Sequence, residues 1–180
     1  MIVVAIVGHP SSGKDTVSEY LVTRGFSHVS SSDRIREDMR KAGIETTREN
    51  MNEFSAAKRQ ENLSYPADEI AEEISRDTVI SGLRNTAEIA LLKEKFGDLF
   101  ALVALHSSQE IRFGRVKERG RIGDGTPFEQ FQKIEEKERG GTQFHEVDAV
   151  IGMADYQIEN SGTKEELFQA VDAILEKLTP

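Results

Sequence analysis

Six consecutive apolar residues, Ile2 to Val7 (IVVAIV), open the pattern with no polar position among them. A strand buried on both faces of a parallel sheet has this look, because neither of its alternating faces meets water. Shorter runs recur at Phe26–Val29, Thr78–Ser81 and Tyr156–Glu159, and a long one at Leu99–Leu105 (LFALVAL). Helical periodicity fills the spaces between. Val17, Tyr20 and Leu21 are so spaced in Thr16–Arg24, and Gly25 stops that segment as a C-cap would. The run Ser30-Ser31-Ser32-Asp33 reads as an N-cap region ahead of a helix from Arg34 to about Lys41. Further helices are expected over Thr86–Phe96, Glu110–Arg119, Pro127–Arg139 and Lys164–Leu178, the last with Leu167, Val171, Ile174 and Leu178 on one side.

Strands alternating with helices along the whole chain predict an α/β fold: a five-stranded, mainly parallel sheet with helices on both faces, hence three αβα layers. Two polar helical stretches interrupt the rhythm. Residues 34–76, with a break near Tyr65-Pro66, and residues 120–145 offer few core-forming side chains, so both are expected to stand off the sheet as movable flaps. The organisation expected is one domain, with a core over about 1–33, 77–119 and 146–180 and two insertions.

Composition narrows the function. Hydrophobic residues at 37% and charged residues at 31% belong to a globular chain, and 180 residues suffice for one core. The lack of cysteine excludes disulfides and thiolate zinc sites. The N-terminal apolar run is too short to span a membrane and lacks the basic flank of a signal peptide, so a cytoplasmic location without membrane attachment is expected. A net charge of -9 argues against nucleic acid as a partner, which asks for a basic face. Any phosphate ligand must then be met by locally concentrated positive charge.

Such a concentration begins at Gly8-His9-Pro10-Ser11-Ser12-Gly13-Lys14, which has Walker A spacing and sits between a strand and a helix. Glycines at both ends let the backbone curl so that successive N–H groups face a phosphate, and the helix that follows adds its positive end. Lys14 supplies a point charge for the outer phosphates of a nucleoside triphosphate. Asp15 stands where a magnesium-ligating Ser or Thr is usual, with Thr16 one place later. Asp15 is read either as a favourable carboxylate at a positive helix end or as a contact, through water, to Mg²⁺.

Arginines collect after the other strands: Arg34 and Arg36 after the second, Arg84 after the third, and Arg112, Arg115, Arg119 and Arg121 after the fourth. In a parallel sheet these points share the carboxyl edge, where ligands bind. Phosphoryl transfer needs charge neutralisation around the migrating group more than covalent chemistry, and arginine's fixed fork suits it. Of this set Arg36, Arg84 and Arg119 are the main candidates. Asp33 is either an N-cap or a carboxylate able to orient Mg²⁺-bound water or take a proton from a hydroxyl. His9, His28, His106 and His145 lack metal-ligand spacing, and the serine run 30–32 lacks a paired base.

With these residues in view, the chain resembles the adenylate kinase group of nucleoside monophosphate kinases, which have a P-loop NTPase fold with helical acceptor-binding and lid insertions. Gly13-Lys14-Asp15-Thr16 is similar to that group's Gly-Lys-x-Thr. His28-Val-Ser-Ser-Ser-Asp33-Arg-Ile-Arg36 and Ser81-Gly82-Leu83-Arg84 resemble its two acceptor-phosphate segments. The ending Ala154-Asp155-Tyr-Gln-Ile-Glu-Asn160-Ser-Gly162 looks like that of dephospho-coenzyme A kinases. The resemblance implies ATP, with Mg²⁺, as donor on Gly8, Pro10, Ser11, Ser12, Gly13, Lys14, Asp15 and Thr16, closed over by Arg115 and Arg119 from the start of the lid. It implies a small phosphorylated acceptor on Asp33, Arg36 and Arg84, with Lys14, Arg84, Arg119 and Asp33 nearest the chemistry and the metal on Thr16 and, through water, Asp15. Ser81 departs from the family's aspartate, the proline before Arg84 is absent, and Arg139 alone offers a second lid arginine. The function expected is transfer of the γ-phosphoryl of ATP to a nucleoside monophosphate or similar acceptor. The alternatives are transfer to a hydroxyl, as in dephospho-coenzyme A kinases, and a nucleotide-binding switch or ATPase.

Overall fold

The structure, a computed structural model, describes residues 1–119, 127–139 and 146–178, the side chains of Arg119, Ile134, Lys137, Glu138 and Arg139 excepted. Strands β1 (Val3–Val7), β2 (Ser27–Ser30), β3 (Thr78–Ser81), β4 (Phe100–His106) and β5 (Tyr156–Glu159) form one sheet in the order β2-β3-β1-β4-β5. Every pairing is parallel. In register, Val3 of β1 lies between Thr78 and Phe100, which makes the IVVAIV run the central strand and explains its lack of polar residues.

Alternation along β1 supplies both faces. Val3, Ala5 and Val7 join Ile80, Leu102 and Ala104 in one core with helices α4 (Ala67–Glu73), α5 (Thr86–Phe96) and α8 (Val147–Gly152). Val4 and Ile6 join Val79, Val103, Leu105 and Ile158 in the other, beneath α1 (Lys14–Thr23) and α9 (Lys164–Leu178). The three-layer αβα arrangement expected from the alternating pattern is the one observed. Helix α1 ends as Gly25 predicts: Gly25 N–H donates to the Val22 carbonyl and Phe26 N–H to that of Leu21, with Leu21 and Phe26 in the same core.

Two elements differ from the pattern reading. Helix α2 (Ser31–Lys41) starts three residues earlier than expected, so its cap position is Ser30 and Asp33 lies inside the first turn. The polar stretch after it also has more core than its composition suggests. Ala67, Ile70 and Ala71 of α4 are buried against the sheet, and Ile35, Met39 and Tyr65 form a small separate core with Met51 and Phe54 of α3 (Arg48–Glu61). The break at Tyr65-Pro66 is a cis peptide between α3 and α4. Farther along, α6 (Gln109–Arg119) and α7 (Phe128–Arg139) are joined by stacked and tilted rings of Phe113, Phe128 and Phe131. No helix among the described residues is long and apolar enough to cross a membrane.

Candidate functional site

All five strands run the same way, so the segments leaving them open at one edge, and the site is built there. Between β1 and α1 the chain curls through Gly8 (φ 146°), Ser11 (φ 59°) and Gly13 (φ 103°). A Cβ on Gly8 would come within 2.6 Å of the Leu105 carbonyl oxygen and of Ser12 Oγ, and one on Gly13 would overlap the Asn160 amide nitrogen. Both glycines are therefore demanded by space as well as by backbone angle. Gly13→Ala is expected to cost about 2 kcal/mol or more through strain and overlap, read as a lower urea midpoint at unchanged slope. Helix α1 has no side-chain cap at its start. Lys14 Nζ donates to the carbonyls of Gly8 (2.9 Å) and His9 (2.8 Å), so its ammonium sits at the mouth of the loop. Pro10 and Asp15 are exposed, and Thr16 is half-buried.

Behind this loop stands the turn that leaves β5. Asn160, 5% exposed, donates from Nδ2 to the Ser12 carbonyl (2.8 Å). Its own carbonyl accepts from Ser107 Oγ (2.8 Å) and from Arg115 Nη2 (2.9 Å). Arg115 also reaches Ser107 Oγ (3.0 Å) and the Ser11 carbonyl (3.4 Å), which brings this arginine of α6 against the phosphate loop. On the other flank His9 Nε2 lies 3.1 Å from Asp148 of α8. Asn160, His9 and Asp148 form no part of the expected site. The Asn-x-Gly ending was the available signal for Asn160, whereas nothing in the sequence pairs His9 with a carboxylate so far along the chain.

The arginines separate into two kinds. Arg34 is used inside the fold: Nε donates to Glu69 (2.8 Å) and Nη1 to Glu73 (2.5 Å), joining α2 to α4, and these carboxylates hold its guanidinium more firmly protonated than usual against the opposing effect of burial. Arg112 is buried in a bidentate pair with Glu135 of α7 (3.1 and 2.5 Å). Both are thus structural rather than ligand-facing. Arg36 remains largely exposed, 2.6 Å from Asp33, which is 72% exposed. Arg84 is exposed, and no hydrogen bond or ion pair of its guanidinium is seen among the described residues. Arg121 and the side chains of Arg119 and Arg139 lie outside the described residues, as do residues 120–126 and 140–145 of the second polar stretch.

The backbone of Arg84 is held from both sides. Its N–H donates to the buried Glu88 carboxylate (2.7 Å), and its carbonyl accepts from the N–H of Glu146 (2.7 Å). The Glu146 carboxylate takes hydrogen bonds from Thr86 Oγ1 (2.7 Å) and Thr86 N (3.1 Å), which lower its pKa below the usual carboxylate value. Ser81, at the end of β3, is 2.9 Å from His28 Nε2 on β2, so the residue in the position of the family aspartate is a hydroxyl with a histidine partner. The site therefore has a curled amide loop with a lysine at its mouth, a braced arginine behind it, and two exposed arginines on the neighbouring strand exits.

Comparison with known proteins fits this geometry. The AAA domain family AAA_18 matches residues 4–139, from β1 through α7. The UPF0200 protein of Thermococcus gammatolerans is 35% identical over 185 residues, covering 98% of this chain and 95% of that one. The chain is an AAA-domain P-loop protein of the UPF0200 family. A second UPF0200 protein, from Hyperthermus butylicus, is 33% identical over 99% of this chain and 95% of its own. Among solved structures, the UPF0200 fold resembles a shikimate kinase from Bacteroides thetaiotaomicron (TM-score 0.67, 15% identity, 99% of both chains). It also resembles a gluconokinase from Sinorhizobium meliloti (TM-score 0.59, 18% identity, 98% of this chain and 93% of that one). At such identities the likeness is one of fold, a P-loop kinase-like fold, without specific assignment to adenylate kinases. The AAA-domain match ends before β5, so Asn160 and α8 lie beyond it.

Proposed function

We propose that the protein is a phosphotransferase that moves the γ-phosphoryl of ATP to a nucleoside monophosphate or a similar small phosphorylated acceptor. The observation that carries this reading is the division of the arginines. Arg34, Arg59 and Arg112 are tied to carboxylates on other helices, whereas Arg36, paired with the exposed Asp33 three residues before it, and Arg84 present exposed guanidiniums at strand exits on the same sheet edge as the phosphate loop. A protein that only bound or hydrolysed a triphosphate would have no need of a second cationic cluster.

In this reading the backbone of Gly8 to Gly13 and Lys14 hold the triphosphate, and Arg115 and Arg119 close on it. Arg36 and Arg84 seat the acceptor phosphate, an ionised oxyanion that needs no general base, so positioning and charge neutralisation supply the rate. Mg²⁺ asks for one or two protein oxygens, its other ligands being phosphates and water. The exposed carboxylate of Asp15 and the hydroxyl of Thr16, both in the first turn of α1, suit that demand, and the ion would neutralise charge on the transferring phosphoryl.

A second reading rests on the exposure of Asp33 beside Arg36. If the acceptor offers a hydroxyl, as dephospho-coenzyme A does, Asp33 would take its proton. Acceptor-dependent ADP release across ribo- and deoxynucleoside monophosphates and dephospho-coenzyme A separates the readings; release independent of all of them favours an ATPase or switch. For the first reading, Arg84→Ala should lower kcat/KM for the acceptor on the order of 10²-fold while leaving the KM for ATP within about twofold. Equal loss on both substrates would place Arg84 outside the acceptor site.

A further inference from the structure

We propose that Asn160 is a positioning residue for nucleotide binding: its carboxamide fixes the orientation of the Ser12–Gly13 peptide, so that the Gly13 N–H faces the phosphates. This inference rests on the reading of residues 8–14 as the triphosphate site. It draws on a residue outside the Walker A spacing and beyond the AAA-domain match.

In a planar trans peptide the C=O and the following N–H point in opposite directions. Asn160 Nδ2 holds the Ser12 carbonyl at 2.8 Å from behind the loop, which turns the Gly13 N–H toward the loop's concave side. The alternative, with this peptide flipped, would aim a carbonyl dipole at the phosphates and remove one donor from the cradle. Gly13, lacking a Cβ, has the conformational freedom to make such a flip, so the loop needs an external lock at this peptide. The lock has no room to drift. Asn160 is 5% exposed, its amide nitrogen fills the space a Gly13 Cβ would take, and its own backbone continues the β4–β5 ladder through Asn160 N–H to the His106 carbonyl (2.7 Å).

The same residue sets the position of Arg115. Its carbonyl accepts Arg115 Nη2 and Ser107 Oγ, so the turn after β5 holds the loop with its side chain and the α6 arginine with its main chain. Phosphate loop and arginine are thereby referenced to one buried point.

The test is the Kd of MgADP, by titration calorimetry on the full chain, from pH 5 to pH 8. Asn160→Asp keeps the shape but sets a carboxylate against the Ser12 carbonyl, and a weakening of about 10-fold or more relative to wild type is expected at pH 8. As the pH falls and that carboxyl takes a proton, it regains a donor, and the ratio of variant to wild-type Kd should return toward one. Asn160→Ala has no donor at any pH, so its ratio should stay raised and flat. Ile174→Ala, a cavity in the second core far along α9, should lower the melting temperature while leaving Kd within about twofold. Wild-type binding with an Asn160→Asp ratio below about two at pH 8 would overturn the inference alone, as would equal weakening in Ile174→Ala. Absence of MgADP binding by the wild-type protein would overturn the triphosphate reading as well, so the two failures are told apart.

Discussion

Lys14→Met is expected to lower acceptor-dependent ADP release on the order of 10³-fold, with a melting temperature within a few degrees of wild type. The ammonium lies at the mouth of the loop on the carbonyls of Gly8 and His9, at 2.9 and 2.8 Å. Hydrogen bonds from an ammonium to a phosphate oxygen are stronger than those to neutral carbonyls, so in the proposed reading an arriving triphosphate would draw Lys14 away from them. In the proposed transfer that charge would neutralise the outer phosphates while charge migrates to the leaving group. Methionine keeps the unbranched stem and removes that charge. Its effect on folding is the loss of hydrogen bonds of a half-buried group, those to Gly8 and His9 among them, about 1 kcal/mol each. Lys14→Arg should restore little, because a wider planar fork does not fit where a compact point charge is gripped. Turnover measured by coupled ADP release, with MgATP affinity by calorimetry, checks this. Activity within about tenfold of wild type in Lys14→Met would remove the loop from the reaction.

What the sequence made legible follows from how locally each feature is determined. Strand β3 and helices α5 and α9 lie where the hydrophobic pattern puts them, because a strand buried on both faces and an amphipathic helix each declare themselves within a few residues, and the edge strand β5, with Ile158 alone buried, keeps its expected bounds as well. The phosphate loop is legible for the same reason: its glycines, lysine and flanking elements are contiguous. Helix α8 is missed because six residues are too few for periodicity to emerge, and its ties are distant, Glu146 to Arg84 and Thr86 and Asp148 to His9. The N-terminus of α2 is misplaced because a run of serines followed by aspartate offers several equivalent caps.

The arginines show the same limit more sharply. Parallel topology brings Arg34, Arg36, Arg84, Arg112 and Arg115 to one edge, which strand order makes foreseeable. Which of them face a ligand is decided by carboxylates far away in sequence. Arg34 finds Glu69 and Glu73, 35 and 39 residues on, and Arg112 finds Glu135, 23 residues on. A sequence window contains no sign of these meetings. The acceptor candidates are the arginines that no other helix claims, Arg84 and the Arg36 paired only locally with Asp33, and that selection exists only in the folded chain.

The pair with the largest expected effect on stability, Arg59 and Glu88, also supports the loop that carries Arg84. Arg59→Met should destabilise the protein by about 3–5 kcal/mol at neutral pH, and adding Glu88→Gln should return part of that loss. Glu88 is fully buried and Arg59 is 3% exposed, with Nη2 3.4 Å from Glu88 Oε1. The other Glu88 oxygen accepts the N–H groups of Arg84 (2.7 Å) and Asn85 (2.9 Å), completing a capping box at the start of α5. Burial pushes the Glu88 carboxyl above its ordinary value of 4.5, while Arg59 and the two amides oppose it. Removing Arg59 leaves burial less opposed and raises the pKa further. A carboxyl with a folded pKa above its unfolded one contributes stability that is full below the unfolded value and is lost as pH rises through the folded value. The cost of Arg59→Met should therefore shrink as pH falls toward 4.5 and be greatest above the raised pKa. A neutral glutamine still accepts the amides through its side-chain oxygen without needing a countercharge, so the double variant should be more stable than Arg59→Met alone at pH 7. Urea unfolding of the wild type, both single variants and the double at pH 5 and pH 7 measures the coupling. Simple additivity, with no dependence on pH, would mean that Arg59 acts through its hydrogen bond to the Tyr65 carbonyl (3.0 Å) and not through the charge of Glu88.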